Sequence, residues 1–284
     1  MCFLHFVTPD LVSITIATEL VMICFMFSPH LTKWRKTTKI SYYIISLGIV
    51  DFLTCSNIAV FYVFGNYFSQ FIDGDFSCKI FGSSYFFTAM SITSSWHIVM
   101  VAVERFLAIC FPVYHRVGFN KPRIFLTILA CYFLGFCTTV IHMPLLFGID
   151  ANGICSTRFF ELEKWIQKLQ SVSFLVIVAL APSSIIVPMY TLIVVKLTNS
   201  KKGSRANKAK IKVVRTSLIV FLTFVICNYP TSFVWAWYMC IESPLDFSAW
   251  YGQFLTGLMC ISPCVNPVIY AFSIPEFTKA VFLK

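Results

Sequence analysis

The sequence predicts an all-α membrane protein, a seven-transmembrane helix bundle followed by a short amphipathic helix, helix 8. Three observations predict this fold. The chain of 284 residues is 58% hydrophobic and only 12% charged, which is too apolar for a soluble domain of this length. Seven segments are long and apolar enough to cross a bilayer, which takes about 20 mostly apolar residues. The Lys and Arg residues cluster in the connections that such a fold leaves on one side of the membrane.

The seven segments, span 1 to span 7, make one domain over residues 1–284. We place them at about residues 8–28, 40–64, 79–110, 123–147, 170–197, 212–240 and 247–271, and helix 8 at 275–284. Glu19 interrupts span 1 and Pro29 ends it early. Because no cationic leader with a cleavage site precedes span 1, we expect this span to act as the targeting signal. The stretch 199–207 is polar and rich in Lys, Ser and Gly, and is expected to be a disordered part of a short inner loop.

The distribution of basic residues predicts an extracellular N-terminus, because Lys and Arg are retained on the cytoplasmic side. With that orientation most of them fall in three inner loops. They are Lys33, Arg35, Lys36, Lys39, Arg116, Lys121, Arg123, Lys201, Lys202, Arg205, Lys208, Lys210, Lys212 and Arg215. The net charge of +10 is therefore a topology signal first, and it also suits anionic membrane lipid and an acidic protein partner. A nucleic-acid partner is not expected, since no soluble domain presents these charges.

Two motifs indicate a switch and not a plain anchor. The run NPVIY at residues 266–270 closes span 7, and the run ERF at residues 104–106 closes span 3. Asn and Pro inside an apolar helix lower its stability, since Pro removes a backbone hydrogen bond. With these motifs, and with Pro112 in the second inner loop, the chain resembles the rhodopsin-like family of G-protein-coupled receptors over nearly its whole length. In that family the seventh helix carries NPxxY and the third ends in Asp/Glu-Arg-Tyr/Phe.

The resemblance implies a plasma-membrane receptor that passes the binding of an extracellular ligand to a heterotrimeric G protein, by an outward movement of span 6. In the family the arginine, here Arg105, pairs with the adjacent acid at rest and turns to the G protein on activation. The residues implied in this G-protein switch are Glu104, Arg105, Phe106, Tyr190, Asn266, Pro267 and Tyr270. Lys210 stands where some members have an acid that locks the arginine, so the resemblance implies some basal activity.

Span 6 departs from the family at one position. The family motif is Phe-x-x-Cys-Trp-x-Pro, and its tryptophan is the ring on which the ligand usually presses. This chain has Asn228 in place of that tryptophan, so its trigger must differ in shape and polarity. The residues of the implied helix 6 switch are Phe224, Cys227, Asn228 and Pro230.

Asp51 matches the Leu-x-x-x-Asp motif of the family's second helix, where the aspartate binds a sodium ion. The resemblance implies a sodium site made by Asp51, Ser94, Ser262 and Asn266, whose oxygen atoms suit a hard cation. The alternative is a protonated, hydrogen-bonded Asp51 with no ion. No other cofactor is expected. Glu19 aligns with an asparagine near this aspartate, which would place two carboxylates in one apolar site; the alternative is that span 1 is misaligned.

Most of the 12 cysteines lie within spans, where a small buried apolar residue is the default, but Cys78 and Cys155 differ. Cys78 lies at the outer end of span 3 and Cys155 in the second outer loop, an oxidising location. The family has a disulfide at this pair of places. Cys78 is two residues further from Arg105 than the family's usual spacing, which predicts a late start or a bulge in span 3.

The outer half of the bundle is the expected ligand site, a concave pocket between helices. Phe87 stands where amine receptors place an aspartate, which disfavours a biogenic amine. Cys260 stands where opsins carry the retinal lysine, which excludes a Schiff base. A small peptide with basic groups is favoured over a lipid or an apolar chemosensory molecule. The expected pocket residues are Phe87, Ser91, Asn228, Trp235, Gln253 and Thr256, although most of them suit core packing equally well.

Other functions stay open or lack support. A receptor-like decoy that no longer signals is the first alternative, because tryptophans are missing at Asn228 and at Tyr132 or Phe133 in span 4. A transporter or channel would need discontinuous helices or a second polar pathway at mid-membrane. An enzyme is not expected, since no nucleophile and base pair is recognisable. The sequence thus predicts an orphan receptor of the rhodopsin-like type.

Overall fold

The computed structural model describes residues 40–71, 74, 76, 78–82, 85–142, 147–149, 155–157, 161–199, 205–241 and 250–273. The predicted span 1, including Glu19, and the predicted helix 8 lie outside these residues. The helices that correspond to spans 2 to 7 are Ile40–Phe71, Tyr85–Cys110, Lys121–His142, Lys164–Thr198 with an internal π-helical turn, Arg205–Cys240 and Trp250–Ser273. A π-helical turn, Cys78–Gly82, precedes span 3, and a short helix, Pro112–Gly118, forms the second inner loop.

The helices have the dimensions that a bilayer requires. Within the described residues, four segments meet both the length and the hydropathy needed to cross a membrane: Cys78–Cys110, Lys121–Ile141, Lys164–Thr198 and Ile211–Tyr238. Span 2 is helical for 32 residues and span 7 for 24. At about 1.5 Å per residue, each of these two helices is longer than a hydrocarbon core of about 30 Å.

The observed helix ends differ from the predicted bounds of several spans. Span 2 stays helical to Phe71, beyond the predicted end at about residue 64. Span 4 ends at His142 instead of near residue 147, because Phe147 pairs in a β-hairpin. Span 5 already begins at Lys164, and span 6 begins at Arg205, inside the stretch predicted to be disordered. Hydropathy misses both extensions because Lys, Gln and Arg are good helix formers that also favour the water beyond the bilayer core.

The outer end of span 3 is covered by a small hairpin. Strand β1, Phe147–Ile149, pairs antiparallel with strand β2, Cys155–Thr157, so that Ile149 lies opposite Cys155. Both strands pack against the π-helical turn Cys78–Gly82. A π-helical turn holds an extra residue in the helix, which agrees with the late start or bulge predicted from the position of Cys78.

Span 5 changes its helical geometry just before a proline. Pro182 has no N–H to donate to the preceding turn, and the turn Val176–Leu180 is π-helical. The Ala179 carbonyl in this turn accepts hydrogen bonds from Ser183 Oγ at 2.7 Å and from Tyr229 Oη at 2.9 Å. The Ser183 and Tyr229 hydroxyls also contact each other. Each hydroxyl carries one proton, so two of these three contacts are hydrogen bonds at any one time. Span 6 is therefore tied to span 5 at the point where the proline weakens the backbone ladder.

Span 3 lies at the centre of the bundle. It packs against spans 2, 4 and 5. Around it, span 5 contacts span 6, span 6 contacts span 7 and span 7 contacts span 2, so these helices form a ring. The contact with span 4 depends on a glycine. A Cβ atom added at Gly135 would lie 2.7 Å from the Ala89 carbonyl oxygen, closer than non-bonded atoms approach. The two backbones therefore meet closely at this position.

The outer faces of the spans are apolar. Large hydrophobic side chains on spans 4 and 5 are exposed, among them Phe125, Leu129, Phe133, Val187, Leu192 and Val194. Continuous apolar surface of this kind is unfavourable in water and suits contact with lipid. The polar side chains that carry chemistry lie inside the ring.

Candidate functional site

A cluster of polar side chains lies at mid-membrane between spans 2, 3, 6 and 7; we call it the mid-membrane cluster, and its residues are Asp51, Ser94, Asn228, Ser262 and Asn266. Asp51 is 2% exposed. Asn266 Nδ2 donates to Asp51 Oδ2 at 2.7 Å, and Ser94 Oγ donates to Asp51 Oδ1 at 3.4 Å. A carboxylate inside a membrane is unfavourable unless it is paired. Asn266 of span 7 therefore pairs with one oxygen of Asp51, and Ser94 of span 3 pairs with the other.

Asn228, which replaces the family's tryptophan, joins span 6 to this cluster. Its Nδ2 atom donates to Ser262 Oγ at 3.1 Å and to the Phe224 carbonyl oxygen at 3.1 Å. Ser262 lies one helical turn before Asn266, on the same side of span 7. Span 7 therefore contacts span 6 through Ser262 and span 2 through Asn266, one helical turn apart.

The residues predicted to hold sodium converge in this cluster. Ser94 and Asn266 both contact Asp51 directly, whereas Ser262 contacts Asn228 and lies one helical turn before Asn266. All four are buried, and they offer carboxylate, hydroxyl and amide oxygens, which are suitable ligands for a hard cation. The donor set therefore fits a sodium ion.

A second cluster lies at the cytoplasmic end of span 3; we call it the Glu104 cluster, and its residues are Glu104, Arg105 and His115. The Glu104 side chain is 0% exposed. Its Oε2 atom pairs with the Arg105 guanidinium. Its Oε1 atom lies 2.9 Å from His115 Nε2. The two partners thus bind different oxygens of one buried carboxylate.

His115 was not predicted from the sequence. The short helix Pro112–Gly118 turns the second inner loop back so that residue 115 reaches residue 104. The His115 ring also stacks on Phe119, with ring centroids 5.4 Å apart and planes at 25°. The sequence signal that could have indicated this contact is a histidine three residues after a loop proline. Its use required the assumption that the loop is helical.

Tyr190 lies near the Glu104 cluster without joining it. Its hydroxyl is buried and, within the described part of the chain, has no hydrogen bond of normal geometry. Ser217 and Arg105 are polar neighbours of this hydroxyl. The backbone of Pro267 and Tyr270 lies in span 7, and their side chains are outside the described part of the structure. Phe106 is half-buried and packs on Phe111 at the same end of span 3.

A contact between spans 3 and 4 lies where span 4 lacks the family's tryptophan. Tyr132 is half-buried and meets the buried ring of His97 edge to face at 5.4 Å. His97 in turn bonds to Ser46 Oγ and to the Thr93 carbonyl oxygen, both at 2.8 Å. Phe133, the other candidate, is 71% exposed. Tyr132 is therefore the residue of the two that faces the bundle.

The predicted pocket residues are only partly brought together. Phe87 and Asn228 are buried, whereas Ser91 and Trp235 are half-buried. Asn228 points to Ser262 in the mid-membrane cluster. Gln253 and Thr256 lie in the span 7 helix, and their side chains are outside the described residues. The ligand site stays a prediction.

Cys78 takes part in a disulfide. The strand that begins at Cys155 packs against the turn that begins at Cys78. This neighbourhood is the one that the predicted pairing requires, and the identity of the partner stays a prediction.

A ring of apolar helices that encloses one paired acidic side chain at mid-membrane and another at one end is the architecture of a multi-pass membrane protein, in which buried acidic residues mark functional sites. Residues 18–270 match the family described as 7 transmembrane receptor (rhodopsin family). The chain belongs to this family, which confirms the predicted seven-helix bundle.

Three relatives illustrate how wide the family is around this chain. It is 26% identical to trace amine-associated receptor 2 of Homo sapiens, over 86% of this chain and 72% of the relative. It is 22% identical to the N-arachidonyl glycine receptor of Macaca fascicularis, over 87% of this chain and 74% of the relative. It is 24% identical to the allatostatin-A receptor of Bombyx mori, over 87% of this chain and 70% of the relative. These relatives are receptors and not enzymes, and their names refer to three different ligands.

Proposed function

We propose that this protein transmits the binding of an extracellular ligand to a heterotrimeric G protein by an outward movement of span 6. The observation that supports the proposal is the Glu104 cluster. A buried ion pair is seldom the most stable way to fill a helix end, since desolvation of both charges offsets most of their attraction. A pair that can open gives the bundle two arrangements, which is what a switch requires.

The geometry supports a specific exchange of partners. At rest Arg105 pairs with Glu104. In the signalling arrangement Arg105 leaves Glu104, and the buried Tyr190 hydroxyl, which has no hydrogen bond of normal geometry within the described residues at rest, gains one. Because His115 bonds the other oxygen of Glu104, the carboxylate keeps one partner after Arg105 has left. The opened cytoplasmic face, lined by the basic edge of span 6, then binds the G protein.

The mid-membrane cluster supports a coupling between the outer and inner halves. The bonds from Asn228 to Ser262 and from Asn266 to Asp51 connect spans 6, 7 and 2. A ligand that binds one arrangement of these spans more tightly shifts the population toward it, and the cytoplasmic end follows. Sodium held by Asp51, Ser94, Ser262 and Asn266 would favour the arrangement in which these oxygens converge.

The ligand proposed here is a small peptide with basic groups. Phe87 offers no counter-ion for a biogenic amine. The relatives are named for a trace amine, N-arachidonyl glycine and allatostatin-A, so their names do not favour one class. The segments predicted to lie outside carry more acidic than basic residues, which complements a basic peptide. The acidic ones are Asp73, Asp75, Asp150, Glu161, Glu163, Glu242 and Asp246, and the basic ones are Lys79, Arg158, Lys164 and Lys168. The N-terminus is proposed to be extracellular, in the plasma membrane.

The experiment that tests the function is G-protein nucleotide exchange in membranes without added ligand. We compare wild type with Arg105→Ala and Asp51→Asn at matched surface expression. Basal exchange in wild type that is lost in Arg105→Ala is the expected result. If no variant exchanges nucleotide, purified receptor is tested for direct G-protein binding, and a receptor that neither signals nor binds is a decoy.

We infer that Cys155 is the disulfide partner of Cys78, because their elements pack together at the outer end of span 3. Mass mapping of the non-reduced protein should give one peptide that links the two cysteines. In Cys155→Ser the Cys78 thiol should become open to alkylation. A link from Cys78 to any other cysteine contradicts the inference.

A further inference from the structure

Two cysteines of different spans face each other inside the bundle; we call them the thiol pair. Cys55 of span 2 and Cys264 of span 7 have their Sγ atoms 3.7 Å apart. Their exposed fractions are 2% and 3%. Neither takes part in a disulfide.

The thiol pair lies directly beside the mid-membrane cluster. Cys55 follows Asp51 by one helical turn, and Cys264 precedes Asn266 by two residues. The pair therefore flanks the bond from Asn266 Nδ2 to Asp51 Oδ2. A covalent bond between the two sulfur atoms would restrict how far spans 2 and 7 can separate at this bond.

We propose that the thiol pair is an oxidation site, at which hydrogen peroxide joins Cys55 to Cys264 in a disulfide that fastens span 2 to span 7. The sulfur of one cysteine attacks the peroxide, the O–O bond breaks, and a sulfenic acid and one water form. The sulfur of the second cysteine then attacks the sulfenic sulfur, the S–S bond forms, and the hydroxyl leaves as a second water with the thiol proton. Two electrons pass from the sulfurs to the peroxide, and two waters are released.

The geometry is close to that of the product. A disulfide needs sulfur atoms at about 2.05 Å, so the two atoms in this structure must approach by about 1.6 Å. Rotation about the Cα–Cβ bonds and a small shift of either helix can supply this movement. The pair is a modification site because each thiol has the other as its resolving partner, and exposure to solvent is not required for the second step.

The surroundings favour persistence of the product. Peroxide is small and uncharged, and it can cross an apolar bundle. Glutathione, the usual reductant of cellular thiols, is larger and charged, so it is excluded from a site of this burial. The disulfide is therefore expected to outlast the oxidant.

The effect on signalling rests on the proposed function. A bond between spans 2 and 7 holds Asp51 and Asn266 in the arrangement seen here. If the signalling arrangement needs a different relation of these two spans, the oxidised receptor has lower basal activity. Formation of the disulfide itself does not depend on signalling.

The experiment treats membranes that contain the full chain with hydrogen peroxide, blocks remaining thiols with N-ethylmaleimide, and maps chymotryptic peptides by mass spectrometry without reduction. A peptide that links Cys55 to Cys264 is expected in wild type and in the control Cys137→Ser, which removes an exposed thiol of span 4. The linked peptide should be missing in Cys55→Ser and in Cys264→Ser. Wild type alone decides the site if either variant fails to reach the membrane.

Basal nucleotide exchange is measured on the same membranes. A severalfold loss after peroxide in wild type and in Cys137→Ser, absent in the thiol-pair variants, supports the regulatory role. The linked peptide with unchanged exchange overturns that role, and the linked peptide in a receptor that never signals overturns the proposed function and leaves the oxidation site. The absence of a linked peptide at a peroxide dose that oxidises Cys137 overturns the proposal.

Discussion

Replacement of His115 by alanine tests the proposed exchange at the Glu104 cluster. In the resting arrangement His115→Ala leaves Glu104 paired with Arg105 through Oε2. When Arg105 leaves, the wild-type carboxylate keeps its bond to His115 Nε2 at 2.9 Å, whereas the variant carboxylate keeps none. The substitution therefore destabilises the signalling arrangement more than the resting one, and we expect basal activity to fall.

The magnitude follows from the bond that is lost. Hydrogen bonds to charged groups contribute about 1.5–3 kcal/mol. The His115 side chain is 18% exposed, so we take the lower end, about 1.5 kcal/mol. While the signalling arrangement is the minor one, basal activity is proportional to its population. A change of about 1.4 kcal/mol is tenfold. The bond is lost in both arrangements, and only the extra cost of a carboxylate left with neither partner shifts the population, so basal exchange should fall by up to about tenfold.

The assay is basal nucleotide exchange at matched surface expression. His115→Gln, which can still present an N–H to Glu104, should restore much of the loss. Val117→Ala is the matched control on the same short helix, where the side chain is 78% exposed. A rise of basal exchange in His115→Ala would refute the reasoning, because it would show that His115 holds the receptor at rest.

Two further predictions concern stability. Gly135→Ala places a methyl group 2.7 Å from a span 3 carbonyl oxygen and should destabilise the purified receptor by about 1–3 kcal/mol, seen as a lower thermal midpoint. The control Gly257→Ala is also helical, and no neighbouring atom of the described residues lies within 4 Å of the added carbon, so it should leave the midpoint unchanged or raise it. A double-mutant cycle of Asn266→Ala and Asp51→Asn should give a coupling of about 1 kcal/mol in unfolding free energy, and additive effects of the two substitutions would contradict the bond between them.

Much of the fold could be predicted from hydropathy, because a bilayer requires runs of apolar residues. The family match supplies the rest of the fold. The errors lie where helices leave the bilayer. Span 5 begins at Lys164 and span 6 at Arg205, in polar turns that a hydropathy window reads as loops. The opposite error occurs at Phe147, which is apolar and continues the hydropathy pattern of span 4 but belongs to strand β1.

The contacts between spans were predictable only where a motif marks both partners. Asp51 and Asn266 were expected near each other from the family motifs. Cys55 and Cys264 carry no motif, and 209 positions separate them, so only the packing of span 2 on span 7 shows that they meet. His115 depended on the short helix of the second inner loop. The choice of Tyr132 over Phe133 depended on the rotation of span 4, which sequence alone does not fix.

The two polar clusters differ in how much of the chain must be made before they can form. Glu104 and His115 are 11 positions apart, so their bond can form as soon as span 3 and the second inner loop have emerged from the ribosome. Asp51 and Asn266 are 215 positions apart, and the Asp51 carboxylate must wait for span 7 before it meets Asn266. Contacts of long sequence separation form late. During synthesis the cytoplasmic end of the receptor is therefore assembled early, while the carboxylate at mid-membrane is fully paired only when the last span has been inserted.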